Sequence, residues 1–320
     1  MENRVRYKIL YISPHLSTGG LPQYLLKKIE KFNKVADVYC VEYSFLGWDF
    51  VVQRNQISNL LGSRFFSLGD DKKKLMDIIK SIQPDILHFE EIAETFVDES
   101  LLREIHNPQR TYFICESCHS STFDVTSKTY KPDKFLMVNK WIQKKFKVLD
   151  IPSEILEYPV EIKECNKKAS VELLGLDPDK KHVVNVGLFT PGKNQGEVFE
   201  YAKILENLPI EFHFVGNQAQ NFSDYWEPLM KTIPKNCRIW GERTDVEIFY
   251  QAVDLFLFTS KLELNPLVIK ESLSYNLPSV FYDLETYSGE YSAHSLVKFL
   301  TPDKSKNVEL ILECLGFEKK

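Results

Sequence analysis

Short apolar runs alternate with amphipathic stretches along this chain. Val5–Ser13 reads as a strand, and Leu21–Phe32 as a helix with Leu25, Leu26 and Ile29 on one face. Val35–Glu42 is a second strand. Lys73–Ile82 has helical spacing, and Gln83-Pro84-Asp85 breaks it before the strand Ile86–Phe89. Arg110–Cys115 and Phe135–Asn139 are further strands, and Lys140–Leu149 is a helix. After residue 160 the alternation restarts. Strands are predicted at His182–Val186, Glu211–Val215, Cys237–Trp240, Leu255–Thr259 and Pro278–Tyr282, with helices at Gly196–Glu206, Val246–Ala252 and Leu267–Tyr275.

Strands alternating with helices imply crossover units and parallel sheets. A charged, proline-containing, weakly periodic connector at 158–168 separates the two halves. The pattern therefore predicts two Rossmann-like, doubly wound α/β domains, 1–160 and 161–320, with the last helix free to pack back on the first domain. Open parallel sheets bind ligands beyond the carboxyl ends of their strands. Strand-end residues of both halves, facing a cleft, are thus the candidates for chemistry.

Composition narrows the function classes. The 320 residues are 43% hydrophobic, 27% charged and 13% aromatic, which excludes a disordered chain. Leu255–Phe258 is typical of the apolar runs, far short of the roughly 20 residues a spanning helix needs. A net charge of −5 argues against a nucleic-acid binder. The first 13 residues lack the apolar core of a signal peptide. Six scattered cysteines fit a reducing, cytoplasmic setting, and Cys115-Glu-Ser-Cys118 lacks the second pair that a zinc site requires. Lys128–Lys147 interleaves lysines with Phe135, Trp141, Ile142 and Phe146. It reads as a strand and helix with a solvated basic face, the other reading being a peripheral membrane contact or an anionic acceptor site.

Chemistry concentrates in Ser260-Lys-Leu-Glu-Leu-Asn-Pro-Leu-Val-Ile-Lys-Glu271, where Glu263 and Glu271 stand eight positions apart around a strand end and a helix start. Amides at such a helix N-terminus suit phosphate oxygens, and a carboxylate can accept hydrogen bonds from a ribose diol. A bland reading stands beside it, with Glu263 as a helix cap and Glu271 on a solvated face. Together with Ser272-Leu-Ser-Tyr-Asn-Leu-Pro278, this segment resembles the retaining nucleotide-sugar glycosyltransferases of the GT-B fold, specifically family 4 (glycosyl transferases group 1). The family's Gly-Phe-Gly is Leu264-Asn265-Pro266 here, and Pro266 has no amide to donate.

The resemblance extends over nearly the whole chain. Val186-Gly-Leu-Phe-Thr-Pro-Gly-Lys-Asn194 is similar to the family's phosphate-binding loop, with Lys193 in the lysine position but Leu188 where an arginine is usual. Gly19-Gly20 resembles the glycine pair whose amides approach donor phosphate and acceptor. His119 matches a histidine near the transferred sugar, whereas His88 reads as a structural histidine. Gly216 and Arg243 lie in strand-end turns resembling those near the nucleotide base, and Arg243 is the nearest replacement for the loop arginine.

The resemblance implies retaining, metal-independent sugar transfer from a nucleotide-diphosphate sugar to a glycan, lipid or protein acceptor, with no cofactor. His119, Glu263 and Lys193 would carry catalysis. Gly19, Gly20, Lys193, Gly216, Arg243, Glu263, Asn265, Pro266, Leu267 and Glu271 would bind the donor, with Glu271 on the ribose. Two other classes stay open: a non-catalytic, transferase-like nucleotide-binding or scaffold subunit, and an epimerase or hydrolase on the same fold.

Overall fold

The computed structural model describes residues 6–17, 19–49, 51–158, 160 and 164–317. Val5, Thr18 and part of the predicted connector (159 and 161–163) lie outside the described residues. The chain divides into two compact units, Met1–Pro159 and Val160–Lys320.

The first unit is built from strands β1 (Lys8–Ser13), β2 (Asp37–Glu42), β3 (Phe65–Ser67), β4 (Ile86–Phe89), β5 (Phe113–Glu116), β6 (Lys134–Met137) and β7 (Ser153–Ile155). They form one sheet in the order β3-β2-β1-β4-β5-β6-β7, and every pairing is parallel. Its helices are α1 (Gly20–Phe32), α2 (Val52–Leu61), α3 (Lys74–Ile82), α4 (Glu99–Ile105) and α5 (Lys140–Phe146). Alternation along β1 explains the layers. Ile9 and Tyr11 pack with Leu25, Leu26 and Ile29 of α1 and Ile57 of α2, while Leu10 and Ile12 pack with Leu75 and Ile79 of α3 and Leu102 of α4. Helix α3 ends where Gln83 enters the left-handed region (φ 50°), its N–H reaching back to Ile79 O, and Pro84 prevents continuation.

The second unit repeats the plan. Strands β8 (Lys181–Val186), β9 (Ile210–Val215), β10 (Cys237–Gly241), β11 (Leu255–Phe258), β12 (Ser279–Phe281) and β13 (Val297–Phe299) form a parallel sheet in the order β10-β9-β8-β11-β12-β13. Its helices are α6 (Lys167–Leu173), α7 (Gln195–Ile204), α8 (Ser223–Met230), α9 (Val246–Ala252), α10 (Leu267–Ser274) and α11 (Lys304–Cys314). Val184, Phe256 and Phe258 face α9 and α10, whereas Val183, Leu255 and Leu257 face α7 and α11. The last helix belongs to this unit: Ile311 is fully buried in its core, and Asn307 Nδ2 donates to Tyr201 Oη at 2.9 Å.

Strand order reverses between β1 and β4 in the first sheet and between β8 and β11 in the second. Each reversal opens a topological switch point at the carboxyl end of the strands, where open α/β sheets take their ligands. The loops after β1, β4, β8 and β11 are therefore the ones to inspect.

Candidate functional site

At the second switch point, the loop 187–194 runs from β8 into α7 and is tied down from several sides. Asn194 sits in the left-handed region (φ 56°), its side chain donating to Glu197 Oε2 at 2.6 Å. Thr259 Oγ1, just past β11, donates to Asn194 O at 2.8 Å. The buried Gln195 side chain turns back to Leu188 O at 3.0 Å. Gly216 closes the floor: a Cβ there would lie 2.0 Å from Gly187 O, so the two loop backbones meet only because residue 216 has no side chain. This gives Gly216 a packing reason independent of any ligand.

The loop aims Lys193 at the segment after β11. Its Nζ lies 2.5 Å from Glu263 Oε1 and 5.2 Å above the Phe258 ring. Ser260 Oγ also donates to Glu263 Oε1 at 2.6 Å, and Lys261 N binds Gly192 O at 2.9 Å, zipping the two loops together. The Glu263 side chain is 9% exposed and that of Lys193 29%, so the pair sits at the mouth rather than in the core. The sequence reading gave these two residues separate duties; the structure brings them into one ion pair. It also missed Ser260 and Thr286, whose hydroxyl donates to Glu263 O at 2.6 Å.

Pro266 caps α10, and Leu267, its first residue, is buried. Leu267 and Val268 offer backbone N–H groups without an acceptor inside the helix, so anion-seeking donors start one residue later than in the glycine version of the motif. Asn265 is half-buried between Glu263 and this helix start. Glu271, one turn in, accepts from Tyr250 Oη at 3.2 Å and is half-buried. Arg243 requires a correction as a replacement phosphate arginine. Its Nε and Nη2 are engaged in a two-pronged pair with Asp245 at 2.8 and 2.6 Å, so an anion would have to displace a carboxylate.

In the first unit, Gly19 (φ 135°) occupies the N-cap of α1, and Gly19 and Gly20 are exposed with open space beside both Cα atoms. His119 follows β5, its N–H bound by the Glu91 carboxylate at 3.1 Å and its ring packed edge-on against Tyr24 at 5.2 Å. His88 is a buried structural histidine, as read: Nε2 meets Ser117 Oγ at 2.9 Å, and burial, aided by Lys28, lowers its pKa to about 3. Sequence reasoning missed Lys28 and Glu90. They form a buried ion pair at 2.5 Å beside His88 and His119.

Other candidates lose their chemistry on inspection. Cys115 and Cys118 are free, buried thiols, and burial pushes Cys115 up to about 11, away from thiolate reactivity. In the basic segment, Phe135, Ile142 and Phe146 are core residues, Lys128 is buried against Glu94 and Glu116, and Lys134 pairs with Glu154.

Among the described residues, His182, Glu211 and His213 are grouped closely enough to ligate a metal. Their hydrogen bonds argue otherwise. Trp240 Nε1–H donates to His213 Nδ1 (3.2 Å), leaving the proton of the neutral ring on Nε2, which donates to His182 Nδ1 (3.0 Å). His182 Nε2 then donates to Asp177 O (2.9 Å). The chain uses both nitrogens a metal would need, and burial lowers the His213 pKa to about 3. Asp177-Pro178-Asp179 has the Asp-x-Asp spacing with which other transferases hold a divalent ion. It forms an exposed turn before β8, at the opposite end of the sheet from Lys193, with Asp177 Oδ1 accepting the N–H of Asp179.

Residues 166–314 match the family described as "Glycosyl transferases group 1". The sequence matches none of the curated proteins compared with it. Among solved structures, Alr3699/HepE of Anabaena, in complex with UDP and glucose, is similar at 14% identity with a TM-score of 0.74, covering 97% of this chain and 90% of that one. Sucrose-phosphate synthase of Thermosynechococcus elongatus follows at 14% identity and a TM-score of 0.72, with 97% and 90% covered. A glycosyltransferase of Rickettsia africae has 14% identity and a TM-score of 0.71, with 97% and 88% covered. At these identities the likeness is one of fold. The chain has the GT-B, Rossmann-like fold, and its residues 166–314 match the glycosyl transferases group 1 family.

Proposed function

We propose that this chain is a retaining, metal-independent glycosyltransferase that moves a sugar from a nucleoside-diphosphate sugar to a glycan, lipid or protein acceptor. The observation that carries the reading is the Lys193–Glu263 pair at the switch point of the second sheet. A lysine held by a carboxylate at the mouth of a phosphate-type loop is a cation with a removable partner. When a diphosphate arrives, Lys193 turns to it, and Glu263 is released to accept hydroxyl hydrogens of the transferred sugar beside Asn265. Leaving-group charge is then met by Lys193 and the first amides of α10, which is electrostatic stabilisation of the departing diphosphate. Glu271, oriented by Tyr250, takes the ribose. His119 meets the transferred sugar, and the departing phosphate accepts the acceptor's proton, so no protein nucleophile is needed.

UDP-glucose is the first donor to test, because Alr3699/HepE is described with UDP and glucose. The unpaired cysteines support action in a reducing, cytoplasmic setting. No helix among the described residues is long and apolar enough to cross a membrane. Calorimetry against UDP, GDP and ADP tests the nucleotide site, and product analysis with UDP-glucose tests the chemistry. Sugar on an acceptor supports transfer, and free glucose supports a hydrolase. UDP binding without turnover supports the second reading, a nucleotide-holding scaffold subunit. That reading draws on Leu188 in the arginine position and on the commitment of Arg243 to Asp245.

A further inference from the structure

Helix α1 turns a lysine inward where its pattern calls for an apolar residue, and the residue after β4 is a glutamate. Lys28 is 2% exposed and Glu90 not at all. Burying two charges is expensive, and well-packed apolar residues in their place often give equal or greater stability. A buried pair at a switch point therefore calls for a reason other than stability.

The hydrogen bonds supply one. Ser117 Oγ–H donates to Leu136 O (2.8 Å), so it accepts from His88, which places the His88 proton on Nε2. The bare Nδ1 of His88 then faces Glu90 Oε1 at 3.5 Å without bonding it, and Lys28 is the cation on that oxygen at 2.5 Å. The other oxygen, Oε2, is buried with no hydrogen-bond partner. Facing it at 3.6 Å is His119 Nε2, equally buried and equally unpartnered. A short ring movement joins the two orphans. Glu91 pins the His119 main chain, and the Tyr24 ring flanks the imidazole, Tyr24 itself being anchored by its hydroxyl to Leu156 O at 2.5 Å.

We infer that Glu90 is a positioning residue for His119: its Oε2 takes the Nε2–H of the imidazole, fixing the tautomer so that Nδ1 is the nitrogen presented to the transferred sugar. Lys28 is the fixed counter-charge that keeps Glu90 ionised where no water reaches it. The role for Nδ1 rests on the proposal that His119 meets that sugar; the Glu90–His119 bond does not.

Imidazole nitrogen NMR on the full chain tests the bond without any substrate. The expected result is a His119 Nε2–H proton protected from solvent exchange, assigned by its loss in His119→Gln. An Nδ1–H tautomer, or no protected proton, overturns the proposal. The double variant Lys28→Met/Glu90→Leu removes both charges together and is expected to fold with a similar melting temperature but without the protected proton. A protected proton that survives there also overturns it. If the double variant does not fold, the wild-type spectrum alone decides. Turnover of UDP-glucose by His119→Ala examines the underlying reading separately. Unchanged turnover in His119→Ala, with the Nε2–H signal present in the wild-type chain, removes the sugar contact and leaves the Glu90–His119 bond standing.

Discussion

The two units carry the same strand plan and place charges at the same topological position, yet they treat those charges oppositely. In the first unit Lys28 and Glu90 are sealed in the core, with His88 held neutral beside them. In the second, Lys193 and Glu263 meet at the rim of two zipped loops, with Lys193 29% exposed. A sealed pair is permanent and can only orient what touches it. A rim pair is separable, and its cation is available to an incoming anion. Under the proposed function, the first switch point orients and the second exchanges ligand.

The largest expected effect breaks the sealed pair. Lys28→Met leaves an uncompensated buried carboxylate and is expected to destabilise by about 3–5 kcal/mol. Urea unfolding should show this loss largely restored in Lys28→Met/Glu90→Leu; equal losses in the single and double variants would mean that charge is not the cause. The same single change at the rim, Lys193→Met, is expected to move stability by no more than about 1 kcal/mol, as for exposed pairs.

Gly216→Ala comes next. Its Cβ would overlap Gly187 O, at 2.0 Å, and overpacking of this kind costs about 1–3 kcal/mol. Thermal unfolding and UDP calorimetry should both worsen, because the 187–194 loop, the proposed diphosphate site, rests on that contact. A wild-type melting temperature would contradict the packing reason given for Gly216.

Acid should act with opposite signs on the buried histidines and on Glu116. His88 and His213 titrate near 3 in the folded state against about 6.5 unfolded. Between those values the unfolded chain holds the proton and the folded one does not, so stability falls as pH drops from about 6.5 toward 3. Glu116 has the opposite sign: burial, opposed by Lys128, raises it to about 7, so the folded state holds its proton between about 4.5 and 7 and gains stability on acidification. Removing that gain in Glu116→Gln should therefore enlarge the stability lost between pH 7 and pH 5, read by urea unfolding; equal losses in the variant and the wild-type chain would contradict the assignment.

Smaller effects sharpen the rim site. Glu271→Gln is expected to weaken UDP binding severalfold, because the ribose is shared by donor and product. Glu263→Gln is expected to leave UDP affinity within about threefold and to act on turnover, since only the donor carries the sugar. The ion pair adds a clause: freeing Lys193 from Glu263 removes a competitor of the diphosphate, so any change in UDP affinity should be a gain.

This contrast also explains what could be read from the residues alone. Lys193, Glu263 and Glu271 lie in two contiguous segments whose local spacing places them on a loop and a helix start. Lys28, Glu90 and His119 come together from α1 and two strand ends, the first pair standing 62 positions apart, and no local pattern links them. The elements behave likewise. Ile86–Phe89 and Val246–Ala252 agree with the pattern residue for residue, because each has a clear apolar face and a defined break. Helix α8 was invisible because it buries none of its residues and contains Pro228. Edge strands β3, β7 and β13 are three residues long, too short for alternation to register. The start of α6 was taken as connector because its cap is a side chain, Asn166 Oδ1 accepting from Ala169 N at 3.1 Å, rather than an apolar repeat.

The central claim is that the Lys193–Glu263 pair is an exchangeable diphosphate site. Titration calorimetry of UDP against the wild-type chain and Lys193→Ala tests it directly, with unfolding curves confirming equal stability. A charge-assisted bond to phosphate contributes about 1.5–3 kcal/mol, so Lys193→Ala should bind UDP about 10- to 100-fold more weakly. UDP affinity unchanged by the loss of Lys193, in a stably folded variant, would contradict the account.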